Sequence, residues 1–212
     1  CIGRYVYERG LTDKREITLE TLAGIKRLSL DVKSGKVGKV TVDMGEPVLS
    51  AKHIPVRSRN GEKMVSESVS VRGKEYIITA VGMGNPHAVV FCDEPTDALV
   101  LGEGPKLETA DIFPEKANIE FAHVAAPERI EMRVWERGTG ETLACGTGAC
   151  AVAVASVLNG MSARKVTIAL RGGDLQVEWR ESDNRVYLTG GAEFVADGIF
   201  YYTEHNDDAD KR

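Results

Sequence analysis

The chain is short of cysteine, of long apolar runs and of excess basic charge, and each shortage removes a class of protein. Four cysteines occur in 212 residues, none of them in C-x-x-C spacing. That argues against a zinc ribbon or a disulfide scaffold and makes a cytoplasmic setting with reduced thiols the expectation. No apolar stretch approaches the ~20 residues that span a bilayer, so no membrane is expected as a partner. The chain opens Cys1-Ile2-Gly3-Arg4, with no initiator Met and no charged-then-apolar leader. Basic residues number 27 against 32 acidic ones, a net charge of −5, which gives no case for nucleic acid. No cluster of His, Cys and acidic residues has metal-ligand spacing, so no metal is expected. The length suits one large domain or two small ones.

What the chain does have is the stretch Thr142-Leu143-Ala144-Cys145-Gly146-Thr147-Gly148-Ala149-Cys150. It reads as a glycine-bearing turn that opens a helix. From Ala149 to Leu158 every residue is Ala, Val, Leu or Cys except Ser156. A helix apolar on all sides is a buried helix, and Asn159-Gly160 is its stop. Cys145 stands at the front, where unsatisfied amides and the helix dipole favour an anion. The same field favours a thiolate, so a lowered thiol pKa is expected. The bland alternative is that Cys145 and Cys150 are small core residues.

Read in order, residues 2–9 suggest a short helix. Residues 17–21 and 25–32 alternate as a hairpin about Ala23-Gly24. Residues 33–38 look like a basic loop and 40–44 a third strand, while 53–60 look irregular. Strands are expected at 65–71, 76–81, 88–91, 118–124 and 130–135. Residues 93–109 read as loop with a short helix, and 136–141 as a polar loop. Further strands are expected at 166–170, 175–179, 186–189 and 198–202, with a charged, frayed tail from 204 to 212. An internal repeat emerges. A helix ending at Gly10 precedes three strands, and a helix ending at Gly160 precedes three more at similar spacing. In the first copy, the position that matches Cys145 would fall ahead of Cys1, so a missing upstream segment is expected.

Three other stretches are polar where a turn or strand has no need of it. Asn85-Pro86-His87 follows two glycines, although Asn-Pro alone also makes a turn. Asn118 begins a strand, which an asparagine can do without any function. Glu136-Arg137 can grip an ammonium and a carboxylate, or be a solvated pair. His53, His123 and His205 lack such settings and are given no role. A Cys145/His87 thiol hydrolase also stays open.

Four stretches together resemble the diaminopimelate epimerase family. They are Gly84-Asn85-Pro86-His87-Ala88-Val89, Asn118-Ile119-Glu120-Phe121, Arg133-Val134-Trp135-Glu136-Arg137-Gly138 and Glu141-Thr142-Leu143-Ala144-Cys145-Gly146-Thr147-Gly148. The resemblance spans essentially the whole chain. It implies a cofactor-independent two-base epimerase that interconverts L,L- and meso-diaminopimelate for lysine and cell-wall precursors. By that resemblance Cys145 is one of two acid/base cysteines. Gly146 and Thr147 hold the reacting carboxylate, Glu136 meets the ammonium, and His87 supports the reacting centre. Asn85, Asn118 and Arg137 are substrate ligands, with Arg137 suited to the distal carboxylate. The family's other cysteine opens a Cys-Gly-Asn-Gly-x-Arg-Cys motif, of which only the last Cys is present, as Cys1. The chain by itself is therefore expected to lack one catalytic cysteine and to be inactive alone.

The expected fold is α+β, with two pseudo-symmetric lobes, each a strand-rich barrel-like sheet around a central helix. The first lobe is expected to be incomplete: residues 1–39 are its remnant, 194–212 return to it, and 40–193 form the second lobe. The expected partners are a small-molecule amino acid and, in a homodimer, a second copy of the chain. The alternatives are a proline racemase-like enzyme, disfavoured by Glu136-Arg137 and Asn118, and a non-catalytic fragment or binding module.

Overall fold

The computed structural model describes residues 1–22, 24–59 and 61–201. In chain order the elements are α1 (Ile2–Glu8), β1 (Glu16–Thr21), β2 (Gly24–Lys33), β3 (Lys36–Gly45), β4 (Glu67–Val71), β5 (Lys74–Gly82) and β6 (Pro86–Phe91). Then come α2 (Asp97–Glu108), β7 (Asn118–Ala126), β8 (Arg129–Glu136), β9 (Gly140–Thr142), α3 (Gly146–Leu158), β10 (Lys165–Leu170), β11 (Gly173–Trp179) and β12 (Val186–Gly190). The strands hydrogen-bond in the order β1-β2-β3-β12-β11-β10-β8-β7-β6-β5-β4, with β9 beside β8. Among the described residues only β6–β7 and β8–β10 pair in parallel.

The sheet curls around α3, which touches β5, β6, β7, β10, β11 and β12. Every residue of α3 from Gly148 to Ser156 is buried. Because its side chains are mostly Ala and Val, strands approach closely on all sides, and the helix has no face left for water. This is the strand-rich, helix-centred α+β architecture expected from the sequence.

The repeat is visible in the topology. Each of α1-β1-β2-β3 and α3-β10-β11-β12 is a helix followed by an antiparallel meander. The two meanders join through their third strands, β3 and β12, also antiparallel. The helix ends match as well. Gly10 and Gly160 sit at φ of 71° and 66°, and their N–H groups donate to Tyr7 and Val157 carbonyls, both at 3.0 Å. This left-handed step, open to glycine at no steric cost, ends both helices.

Four local readings need correction. Residues 97–108 form the full helix α2, not loop with a short helix. Thr96 caps it, its side chain accepting from the Leu99 N–H. Gly102, Gly104 and Pro105 weaken its sequence signal, but tertiary packing on β7, β8 and β9 overrides propensity. Residues 33–38 are a tight β2–β3 hairpin in which Ser34 and Gly35 take positive φ. The polar loop before Cys145 contains β9. Residues 198–201 form no strand. Instead, the segment after β12 lies over α1: Arg4 pairs with Glu193 at 2.9 Å, Tyr5 and Phe194 rings stand 6.5 Å apart, and Arg9 pairs with Asp197. Ala23, Asn60, Tyr202 and the tail at 204–212 lie outside the described residues. Among the described residues no helix is long and apolar enough to cross a membrane.

Candidate active site

The front of α3 is built around Cys145. The residue is the helix N-cap, with extended backbone (φ −132°, ψ 110°), the conformation that lets an N-cap side chain turn back on its own helix. Its Sγ accepts from the Gly148 N–H at 3.4 Å and lies 3.5 Å from Thr147 Oγ1. The sulfur is thus an N-cap acceptor where Ser or Asp is the common choice. Cys145 is buried, while Gly146 and Thr147 are half-buried at the mouth. Gly148 has no alternative here. A methyl group on it would stand 2.8 Å from Glu120 Oε1 and 3.3 Å from Cys145 Sγ.

The expected low thiol pKa is not what this setting gives. Burial pushes the Cys145 thiol up, and the carboxylates of Glu120 and Glu136 push the same way. Only the Thr147 hydroxyl and the Gly148 amide oppose them. Desolvation outweighs the helix end because the sulfur is enclosed by protein rather than set at an open terminus. Cys150, deeper in the same helix, is fully buried and its thiol is raised to about 12, which makes it a core residue.

Glu120 is the residue that sequence reasoning missed. It lies on β7, wholly buried. Its Oε1 is 2.6 Å from His87 Nδ1, and His87 Nε2 is 2.9 Å from Asn85 Oδ1. His87 is itself fully buried on β6. A polar chain therefore runs from Asn85 through His87 to Glu120, whose Oε1 faces the Gly148 turn of α3. The signal was available: Ile119 and Phe121 on either side are apolar and fully buried. A strand covered on both faces leaves a glutamate no route to water.

The second group is anchored by Asn118. Its Nδ2 donates to the Pro86 carbonyl at 3.0 Å, and its Oδ1 accepts from the Arg137 N–H at 2.9 Å. One side chain thus ties the Asn85-Pro86 turn to the Glu136-Arg137 loop. Helix α2, longer than the short helix expected, holds that loop from behind. Glu108, the last residue of α2, accepts from Trp135 Nε1 at 2.8 Å and from the Gly138 N–H at 2.9 Å. Glu136 is half-buried and accepts from the Thr142 hydroxyl. Arg137 is exposed, and its guanidinium donates to the Glu115 carbonyl at 3.0 Å.

Asn85 and Arg137 line a cleft of about 230 Å³ with His53, Ile54, Pro86 and Glu115. Cys145, Gly146 and Thr147 are not in its lining. The structure thus places the expected residues in two linked groups. Asn85 and His87 are joined directly and His87 holds Glu120, which faces the Gly148 turn that donates to Cys145; Asn118 and Arg137 are joined directly; Asn85 lines the cleft of the second group. Glu136 connects to Cys145 through its charge. Among the described residues no group of three or more His, Cys, Asp or Glu side chains is arranged to hold a metal.

The fold, strands wrapped around a buried helix, is shared with solved structures of low sequence identity. A probable proline racemase of Agrobacterium radiobacter superposes with a TM-score of 0.67 at 16% identity, over 93% of this chain and 66% of that one. A hydroxyproline epimerase of Agrobacterium vitis gives 0.64 at 15% identity, over 90% and 61%. The sequence places the chain more narrowly. Residues 79–195 match the diaminopimelate epimerase family model. The diaminopimelate epimerase of Acetivibrio thermocellus is 54% identical over 199 residues, 93% of this chain and 70% of that one. That of Desulfovibrio desulfuricans is 50% identical over 206 residues, 95% and 72%. The chain belongs to the diaminopimelate epimerase family.

Proposed function

We propose that this chain moves a proton at an α-carbon of diaminopimelate, the chemistry that interconverts the L,L and meso forms, with Cys145 as one acid/base group. The observation that carries this reading is the buried thiol at the N-cap of α3, flanked by Glu136 and by helix-end amides. In the thiolate form the sulfur takes the α-proton: an S–H bond forms, and the C–H electron pair moves into the substrate carboxylate. That doubly charged group meets the first-turn amides of α3 at Gly146 and Thr147, which no carbonyl within the helix satisfies. Glu136 receives the substrate ammonium. Its arrival offsets the negative charge that holds the thiol pKa up, so ionisation of Cys145 is coupled to binding. Asn85, Asn118 and Arg137 take the distal end, with the guanidinium matched to the second carboxylate. His87 supports the centre through Asn85 and Glu120.

Cys1 is not part of this reading. It is exposed at the front of α1 and makes no side-chain cap hydrogen bond. Among the described residues only Cys145 has the buried N-cap setting, and it carries the acid/base role in this reading. Calorimetric titration with meso-diaminopimelate, lysine and proline tests the substrate class. Diaminopimelate is expected to bind most tightly, with most of its advantage over lysine lost in Arg137→Ala. Equal binding of lysine, or tighter binding of proline, would contradict the assignment.

A further inference from the structure

Glu120 has a position that packing alone does not account for. It is fully buried, and among the described residues its Oε2 has no hydrogen-bond partner. A buried acceptor left unsatisfied is destabilising, and such groups are uncommon in native proteins. Its other oxygen is fixed by His87 at 2.6 Å and packs against the bare Cα of Gly148, whose amide donates to the Cys145 sulfur. The first turn of α3 carries no acidic residue of its own. Glu120 supplies that charge from the neighbouring strand, where the helix dipole favours it.

We propose, on the basis of the epimerase reading above, that Glu120 is a positioning residue for proton transfer at Cys145. Its fixed carboxylate, aimed by His87 and admitted by Gly148, keeps the sulfur protonated until substrate binds. The group does not touch the reacting carbon. It acts on the sulfur across the Gly148 turn, by charge and by filling the space behind the thiol. The other titratable groups that act on that sulfur are Glu136 at the end of β8 and Cys150 further along α3, with Lys26 of β2 acting on Cys150 and His87 of β6 holding Glu120. From β12, Leu188 reaches the same turn at Gly146. In the resting chain the S–H bond is intact. When it breaks, its electron pair stays on sulfur, and Glu120 opposes that charge.

The test is the pH dependence of Cys145 alkylation by iodoacetamide in the free, full chain, with the modified cysteine identified by tandem mass spectrometry. Glu120→Gln keeps the size and removes the charge. Its alkylation midpoint is expected about 1 pH unit below that of the unsubstituted chain, the scale of a nearby like charge. Glu120→Asp, which retains the charge, is expected to restore most of the difference. An unchanged midpoint in a folded Glu120→Gln protein would overturn the proposal. If that variant fails to fold, carboxyl-carbon NMR of Glu120 in the unsubstituted chain decides instead. Its shift should follow the Cys145 titration and lose that step in Cys145→Ala; a shift blind to Cys145 would overturn the proposal. Both readouts need no substrate. Failure of the epimerase reading would appear separately, as absent α-proton exchange with the Glu120 effect intact.

Discussion

The two repeats share a plan and differ in what their helices bury. α1 and α3 end alike, with caps at φ −88° and −91°, ψ 4° in both, and a glycine in the left-handed region beyond. At the front they part. Cys1 is exposed and makes no cap bond, and within α1 only Gly3 is buried. Cys145 is buried, accepts an amide, and precedes nine consecutive buried residues. Here the site comes from the strands that enclose the thiol and bring the charges of Glu120, held by His87, and of Glu136 to bear on it.

That difference can be broken by comparing substitutions in the two helices. Gly148→Ala should have the largest effect, because its methyl meets Glu120 Oε1 and Cys145 Sγ, both fixed by other bonds. A loss of about 2–3 kcal/mol in denaturant unfolding is expected. In the other helix, Gly3→Ala would meet the ends of the Leu30 and Leu28 side chains. These can rotate away, so less than about 1 kcal/mol is expected. Equal costs would mean that the first turn of α3 is no more constrained than α1. Next, Val154→Ala removes fully buried methyls and should cost about 2 kcal/mol, against roughly 0.5 for half-buried Val6→Ala.

Smaller effects separate the ion pairs. Arg133, bonded to Glu141 at 2.7 and 3.1 Å, holds that carboxyl below its ordinary value of 4.5, and Arg171 adds to this. The resulting stability is present in full above the ordinary carboxylate range and lost as pH falls through the lowered value. An acid-limb loss of about 1 kcal/mol is expected in pH-dependent unfolding and should be absent in Glu141→Gln. The exposed Arg9–Asp197 pair over α1 should show no such limb, and Asp197→Asn should leave the unfolding midpoint unchanged.

Much of this molecule was legible before its structure. The apolar run after Gly148 announced a buried helix, and alternation located most strands because each has one dry face. The repeat showed because turn glycines and strand lengths are local signals. α2 was hidden by Gly102, Gly104 and Pro105. The glycine at 104 is required by contact rather than by the helix: a Cβ there would lie 2.7 Å from that of Trp135. The pKa of Cys145 was misread for a related reason. A helix front is visible in sequence, but the strand that lays Glu120 against it is not. The curled sheet is likewise a long-range fact, since β3 meets β12 across most of the chain.

The most direct trial of Cys145 is α-proton exchange with diaminopimelate in deuterated water, followed by proton NMR and run beside Cys145→Ala. Deuterium should enter at the α-carbon with the unsubstituted chain and fall by at least about 100-fold in the variant, the scale of one lost acid/base group. Exchange that persists undiminished in Cys145→Ala, or none with the unsubstituted chain, would contradict a proton-transfer role for the thiol at the front of α3.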